Sequence, residues 1–144
     1  MDEIRVLHVD DEPAFADLTA DFLERTDERF AVETATSVTA GLRALDEGPT
    51  VDCVVSDYDM PGRSGIDFLR AVREDRPDLP FVLFTGKGSE AVASEALRAG
   101  ATDYLQKKTG TEQYELLANR VTNAVRQFRG RRAEQRLLEV ADHT

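Results

Sequence analysis

The sequence contains one cysteine and no tryptophan, and three of its 18 basic residues are lysine. A lone thiol cannot form a disulfide within the chain, and Cys53 lies in an apolar run, so we expect a reducing, cytoplasmic location. Every apolar run is far shorter than the roughly 18–20 residues that cross a bilayer. The acidic start, Met1-Asp2-Glu3, lacks the pattern of a signal peptide, so no membrane role is predicted.

Positive charge is also scarce, with 28 acidic residues against 18 basic ones and a net charge of −10. Binding to nucleic-acid phosphates needs clustered Lys and Arg, so direct nucleic-acid binding is not expected. An acid-rich surface with few Lys and many Arg favours a halophilic source, although drift towards Arg codons would give the same composition. The 144 residues, 41% of them hydrophobic, suit one domain with a substantial core.

Apolar runs alternate with helical periodicity five times along the chain. Strands are predicted at Ile4–Val9, Phe30–Ala35, Cys53–Val55, Pro80–Phe84 and Asp103–Gln106. Helices are predicted to follow Glu12-Pro13, Ser37, Gly65, Ser89 and Thr111. This rhythm requires right-handed crossovers, and it predicts an α/β fold with a five-stranded parallel sheet and helices on both faces.

Two details of this prediction concern side-chain burial. Phe15, Leu18 and Phe22 recur at helical spacing and predict the buried face of the first helix. His8 lies in the middle of the first strand, and we expect a core or edge histidine whose hydrogen bonds are satisfied.

Polar side chains follow the predicted strands at their carboxyl ends, where open parallel sheets bind ligands. Asp10 and Asp11 follow the first strand and Asp57 follows the third. Thr85 follows the fourth strand and Lys107 the fifth. An Asp in Asp57's position could simply start a turn. The first and third strands, however, should be neighbours where the winding of the sheet reverses, so three carboxylates are expected to meet there.

Converging carboxylates repel one another unless a cation lies among them. Oxygen ligands without a His or Cys cluster suit a hard ion such as Mg²⁺, or Mn²⁺ in its place. The hydroxyl of Thr85 and the charge of Lys107 could hold phosphate oxygens, and a carboxylate can itself accept a phosphoryl group. The residues therefore predict Mg²⁺-dependent phosphorylation of Asp57.

The same landmarks resemble the receiver domain of two-component response regulators. They are Asp10-Asp11, Asp57-x-x-Met60-Pro61-x-x-x-Gly65, Thr85, and Gly100-Ala101-x-Asp103-Tyr104-Leu105-x-Lys107. The resemblance covers roughly residues 4–128. It implies a flavodoxin-like doubly wound fold with strand order 2-1-3-4-5, a regulatory protein rather than an enzyme, and a histidine kinase or phosphotransfer protein as partner.

The resemblance also implies a role for each site residue. Asp57 would be the phosphoacceptor, and Asp11, Asp57 and the main-chain carbonyl of Asp59 would bind the metal, with Asp10 acting through water. Thr85 and Lys107 would contact the phosphoryl group, and the Gly86 loop would move. Tyr104 is similar to the family's aromatic switch, which swings inward on activation, although it could be a plain core residue. Phosphorylation would reshape the surface of the fourth helix, fifth strand and fifth helix, with homodimerisation or partner docking as output.

Two residues depart from the family pattern. Lys108 stands where the family usually has a proline that follows a cis bond, so we expect a trans bond or an altered loop, since a cis bond without proline costs about 2.5–4 kcal/mol. Gly86 replaces the usual alanine after Thr85 and should loosen that loop.

Other functions stay open. Asp57-Tyr58-Asp59 has the D-x-D spacing of haloacid-dehalogenase-like phosphatases, which also use an Asp nucleophile. A pseudo-receiver that binds partners without phosphorylation is a third reading. Residues 1–128 are predicted to form the receiver domain and residues 129–144 a helical extension. That extension would be either the start of a helix leading to a further signalling domain or a solvated end of the last helix.

Overall fold

A computed structural model describes residues 3–86 and 89–142. The strands are β1 (Ile4–Val9), β2 (Phe30–Ala35), β3 (Cys53–Ser56), β4 (Phe81–Thr85) and β5 (Asp103–Gln106). The helices are α1 (Pro13–Thr26), α2 (Val38–Glu47), α3 (Gly65–Asp75), α4 (Glu90–Arg98) and α5 (Glu112–Asp142). All the strands are parallel in the order β2-β1-β3-β4-β5, which confirms the predicted fold class and strand order.

Local sequence signals explain where the helices begin. The side chains of Ser37, Ser64 and Ser89 each accept a hydrogen bond from a backbone N–H in the first turn of the helix that follows. At α3 the Asp67 side chain accepts a hydrogen bond from the Ser64 N–H, which completes a capping box. Pro13 begins α1, where a missing N–H costs nothing.

Alternate residues of the central strands feed two separate apolar clusters, one on each face of the sheet. Leu7, Val54 and Phe81 belong to the cluster covered by α2, α3 and part of α4. Val6, Val55 and Val82 belong to the cluster covered by α1 and α5. Because both faces are covered, β1, β3 and β4 are almost wholly buried, as expected for a parallel sheet.

The prediction for the buried face of α1 was wrong at Leu18, whose side chain is 45% exposed. The fully buried stripe is Ala16, Thr19 and Leu23, which lies one residue along the helix from the predicted stripe. A shift of one residue rotates a helix face by about 100°. Ala16 and Thr19 are weakly apolar, so the pattern favoured the neighbouring stripe.

The prediction for His8 was half right. The side chain is fully buried, but neither ring nitrogen has a hydrogen-bond partner within the described part of the chain. Burial lowers the pKa of His8 to about 4; the carboxylate of Asp10 opposes this effect and the ammonium of Lys107 adds to it. The ring is therefore neutral near pH 7 and packs as an aromatic group, 6.5 Å from the ring of Phe15.

Helix α5 is much longer than the other four, at 31 residues. Its first half packs on the sheet through Tyr114, Leu117, Val121 and Ala124. Residues 129–141 are all exposed. Among the described residues, no helix has both the length and the apolar character needed to span a bilayer.

Gly65 is the position where the fold most clearly requires a glycine. A Cβ at this position would overlap the main-chain carbonyl oxygen of Asp57 and lie 2.9 Å from Leu83 Cδ1. The backbone carbonyl has no freedom to yield, so the start of α3 can approach the end of β3 only if residue 65 has no side chain.

We predict that Gly65→Ala lowers the free energy of unfolding by about 1–3 kcal/mol, because overpacking forces the Asp57 segment away from α3. Urea denaturation followed by circular dichroism measures this. The matched control is Gly130→Ala, where a Cβ would meet open space on an exposed helix, and no loss of stability is expected. Equal stability of the two variants would contradict the steric argument.

Candidate functional site: an acidic cluster at the carboxyl edge of the sheet

The reversal of the sheet winding brings two strand ends together. β1 pairs with β2 on one side and with β3 on the other, and Val9 stands opposite Ser56. The N–H of Asp57 then donates to the Val9 carbonyl at 2.9 Å. Residues that directly follow β1 and β3 are therefore neighbours.

Three carboxylates meet at this edge, as predicted. Carboxylate oxygens of Asp10, Asp11 and Asp57 lie within 4.8 Å of one another. Asp10 is 1% exposed and Asp57 is 9% exposed, while Asp11 is half-buried. In so little water, three negative charges at this separation would repel strongly without a compensating cation.

Lys107 supplies one positive charge inside the cluster. Its Nζ donates to Asp10 Oδ2 at 3.0 Å and lies 3.5 Å from Asp57 Oδ2. Its own N–H donates to the Thr85 carbonyl at 2.9 Å, which ties the end of β5 to the end of β4. The predicted convergence of Lys107 with the acidic residues is present in the structure.

An aromatic ring beneath Lys107 was not identified as part of the site from the sequence. Lys107 Nζ lies 4.0 Å from the centroid of Phe15 and 5.7 Å from that of Phe84. A desolvated ammonium over a ring face gains cation–π attraction. Phe15 stands only four residues after Asp11, so its place on the first turn of α1 was the available signal.

The remaining oxygens of Asp10 and Asp57 are held by main-chain groups. Asp10 Oδ1 accepts from the Glu12 N–H at 2.9 Å, and Asp57 Oδ1 accepts from the Tyr58 N–H at 2.8 Å. The Ser56 hydroxyl donates to the Asp57 carbonyl at 2.8 Å. These bonds leave the second oxygen of each carboxylate, Oδ2, to interact with Lys107.

The other residues predicted for the site lie around this centre. Thr85 is fully buried at the end of β4, and Gly86 follows it exposed, where an added Cβ would meet no atom. Asp59 is exposed two residues beyond Asp57, and its contribution through a main-chain carbonyl stays a prediction. Tyr104 is half-buried against the cluster covered by α2 and α3, with its hydroxyl buried.

The donor set fits a hard divalent cation. Within the described part of the chain, the cluster consists of three carboxylates without a His or Cys ligand, and one of them, Asp11, lies partly open to solvent. Mg²⁺ binds through a few carboxylates and retains several waters, which the partial exposure of Asp11 permits. One lysine offsets only part of the charge of three carboxylates, so a divalent ion has an electrostatic reason to bind.

Comparison with known proteins agrees with the geometry of the site. Residues 6–119 match the response regulator receiver domain family. The chain is 37% identical over 120 residues to the photosynthetic apparatus regulatory protein RegA of Cereibacter sphaeroides, covering 83% of this chain and 60% of RegA. It is 33% identical over 119 residues to the transcriptional regulatory protein FixJ of Bradyrhizobium diazoefficiens, covering 83% of this chain and 55% of FixJ.

Among solved structures, a response regulator receiver domain protein from Clostridium thermocellum matches with a TM-score of 0.77 and 31% identity. That match covers 86% of this chain and 95% of the other. The fold and the acidic edge define a CheY-like α/β protein. The chain belongs to the response regulator receiver domain family, as the resemblance implied.

Family membership supports a regulatory role in two-component signalling. Receiver domains interact with histidine kinases or phosphotransfer proteins, and they generally bind Mg²⁺ at an acidic site. The chain spans less than two thirds of the length of RegA and FixJ, which contain further sequence.

We predict that millimolar MgCl₂ raises the melting temperature of the wild type. Binding to the folded state alone contributes about 1.4 kcal/mol at a tenfold excess over the dissociation constant, or a few degrees. Asp11→Asn should abolish the rise, and it should also stabilise the metal-free protein by removing a repelling charge. Differential scanning fluorimetry measures both effects.

Two controls separate a metal site from general screening of an acidic surface. NaCl at matched ionic strength tests screening. Asp17→Asn removes an exposed carboxylate from α1, away from the cluster, and should leave the response to MgCl₂ intact. Equal responses of Asp11→Asn and Asp17→Asn would refute the proposed site.

Proposed function

We propose that this protein accepts a phosphoryl group on Asp57 from a histidine kinase or phosphotransfer protein. The observation that carries the proposal is the contact of Lys107 with both Asp10 and Asp57 in a cluster of three carboxylates. Asp57 lies at the carboxyl end of a central strand, where a donor can reach it, and Lys107 stands ready to neutralise charge on a transferred group.

The transfer is a displacement at phosphorus. A carboxylate oxygen of Asp57 attacks the phosphorus, and the bond between phosphorus and the donor's imidazole nitrogen breaks. The electron pair leaves with the imidazole, which takes up a proton from water. The product is an acyl phosphate on Asp57, and Lys107 and the Thr85 hydroxyl would pair with its oxygens.

Mg²⁺ (or Mn²⁺) is proposed to bind through Asp11, Asp57 and the Asp59 main-chain carbonyl, with Asp10 acting through water. When bound, it would offset negative charge on the phosphoryl oxygens and on the carboxylates. Asp10 also holds Lys107 in place. Asp11 is the most exposed of the three carboxylates.

The proposed output surface lies on α4, β5 and α5. A phosphoryl group would draw Thr85 inward, and Gly86 gives that loop backbone freedom. Tyr104 is expected to swing inward on phosphorylation, and its hydroxyl is already buried where the ring packs on the cluster covered by α2, α3 and part of α4. Leu97 of α4 and Leu116 of α5 are large exposed apolar residues on these elements, which suits homodimerisation or partner docking through this surface.

The wider setting of the chain is also a proposal. We propose a receiver domain over residues 1–128 and a helical extension over residues 129–144, the last two of which lie outside the described part. A cytoplasmic, halophilic setting agrees with the single Cys and the acid excess, and no direct contact with nucleic acid or membrane is proposed. The protein is regulatory, with at most self-phosphorylation from small donors and slow dephosphorylation.

A phosphatase of the haloacid-dehalogenase type remains the rival function, on the spacing of Asp57 and Asp59. That chemistry gives no role to Asp10 or Asp11, yet both lie in the cluster with Asp57. Sustained turnover of p-nitrophenyl phosphate by the wild type would favour the rival.

We predict that the wild type, incubated with acetyl phosphate and Mg²⁺, gains the mass of one phosphoryl group. Asp57→Asn should gain none, because the amide nitrogen and oxygen are poor nucleophiles. Intact-mass spectrometry measures the adduct, and Asp17→Asn serves as a carboxylate control that should still be modified. A wild type without adduct, or an Asp57→Asn protein that carries one, would defeat the proposal.

A further inference from the structure

Outside the acidic cluster, the loop that follows Lys107 is held by side-chain hydrogen bonds rather than by regular main-chain bonds. The N–H of Lys107 makes the last main-chain bond between this segment and the sheet, to the Thr85 carbonyl. The next regular bond joins Tyr114 to Thr111 at the start of α5. The intervening residues 108–112 are exposed. A long, flexible lysine side chain at the base of such a loop needs its backbone fixed if its ammonium is to stay in place.

The side-chain amide of Gln113 makes two hydrogen bonds to the main chain of this loop. Its Oε1 accepts from the Lys108 N–H at 2.9 Å, and its Nε2 donates to the Gly110 carbonyl at 2.9 Å. The amide orientation follows from the partners, because a flipped amide would set donor against donor and carbonyl against carbonyl. Gly110 has a φ of +90°, in the left-handed region that favours glycine, which turns its carbonyl towards the helix start.

These two bonds serve the loop rather than the helix. Gln113 is the second residue of α5, where a capping side chain would satisfy N–H groups of the first turn. Both of its partners, Lys108 and Gly110, instead lie before the helix begins. The half-buried side chain therefore joins the Lys107 segment to the rigid, packed part of α5.

The hydrogen bond to Gln113 Oε1 depends on the residue that follows Lys107. The peptide bonds of the described residues are all trans, so the expected trans bond before Lys108 is confirmed. Lys108 has an N–H to donate, whereas a proline in its place would have none. The departure noted at position 108 therefore creates the donor that Gln113 binds.

We infer that Gln113 is a positioning residue for Lys107, an inference that rests on the proposed phosphorylation of Asp57. Gln113 holds the peptide group that joins Lys107 to Lys108, and Lys107 Nζ in turn lies close to Asp10 and Asp57, over the ring of Phe15. Loss of the two Gln113 hydrogen bonds should allow the Lys107 ammonium to sample other positions. The metal ligands would not move, because Gln113 touches none of the three carboxylates.

The test is the rate of phosphorylation by acetyl phosphate at saturating Mg²⁺, followed by intact mass. Gln113→Ala should lower the rate about two- to tenfold, the range that corresponds to the net contribution of one hydrogen bond. The Mg²⁺ dissociation constant should not rise, because every proposed metal ligand is retained. The matched control is Gln127→Ala, the same substitution at an exposed position of the same helix, which should leave the rate unchanged.

A double-mutant cycle with Lys107→Ala separates positioning from a general effect on the fold. A residue that acts through Lys107 has no further effect once that side chain is gone, so Gln113→Ala should not slow the Lys107→Ala protein. Gln113→Glu, which keeps the acceptor for the Lys108 N–H, should retain more of the rate than Gln113→Ala. It also provides a second variant if Gln113→Ala folds poorly.

The outcomes distinguish the two levels of the argument. If the wild type gains no phosphoryl group, the proposed function fails and this inference fails with it. If the wild type is modified but Gln113→Ala matches its rate, only the inference is overturned. The inference is also overturned if Gln113→Ala slows phosphorylation of the wild type and of the Lys107→Ala protein by the same factor. A lower rate confined to proteins that retain Lys107 supports it.

Discussion

Among the described residues, the site depends on a balance of charge at the edge of the sheet, between three carboxylates and the ammonium of Lys107. Parallel pairing of β1 with β3 places the ends of the two strands side by side. Asp10, Asp11 and Asp57 therefore lie close together. Their mutual repulsion in a nearly dry setting opposes folding. Lys107 relieves part of it from 97 residues away in sequence, through its contact with Asp10. The fold thus retains an excess of negative charge that a bound cation or a donor's counter-charge can use.

Much of this arrangement could be predicted from the sequence because it follows from strand ends. An apolar run that stops at a carboxylate fixes both the end of the strand and the position of its acid, and the winding of a parallel α/β fold then decides which strands are neighbours. Asp10, Asp57 and Lys107 could be placed in this way without any knowledge of side-chain packing. The N-caps Ser37 and Ser89 were predictable for a similar reason, since one residue both ends an extended segment and satisfies the helix that follows.

The features that were missed depend on packing between distant elements. The buried stripe of α1 includes Thr19 and excludes Leu18, because the positions of β2 and α5 decide which face is covered. The ring of Phe15 under Lys107 joins α1 to the end of β5, and no local pattern reports that contact. His8 was expected to find hydrogen-bond partners, yet its buried ring nitrogens have none within the described residues, and burial keeps the ring neutral near pH 7.

The length of α5 has a mechanical consequence. Arg129, where the exposed part of the helix begins, donates to the Glu3 carbonyl at 3.0 Å and lies 3.5 Å from Asp52. From there to Asp142 a helix rises about 20 Å. Residues 130–141 are exposed, so this part of the helix amplifies a tilt at Arg129 in proportion to its length. A tilt of about 10° at Arg129 would move the far tip by roughly 3–4 Å, as follows from the length of the helix. A subtle repacking beside the sheet would therefore become a displacement comparable to the size of a side chain.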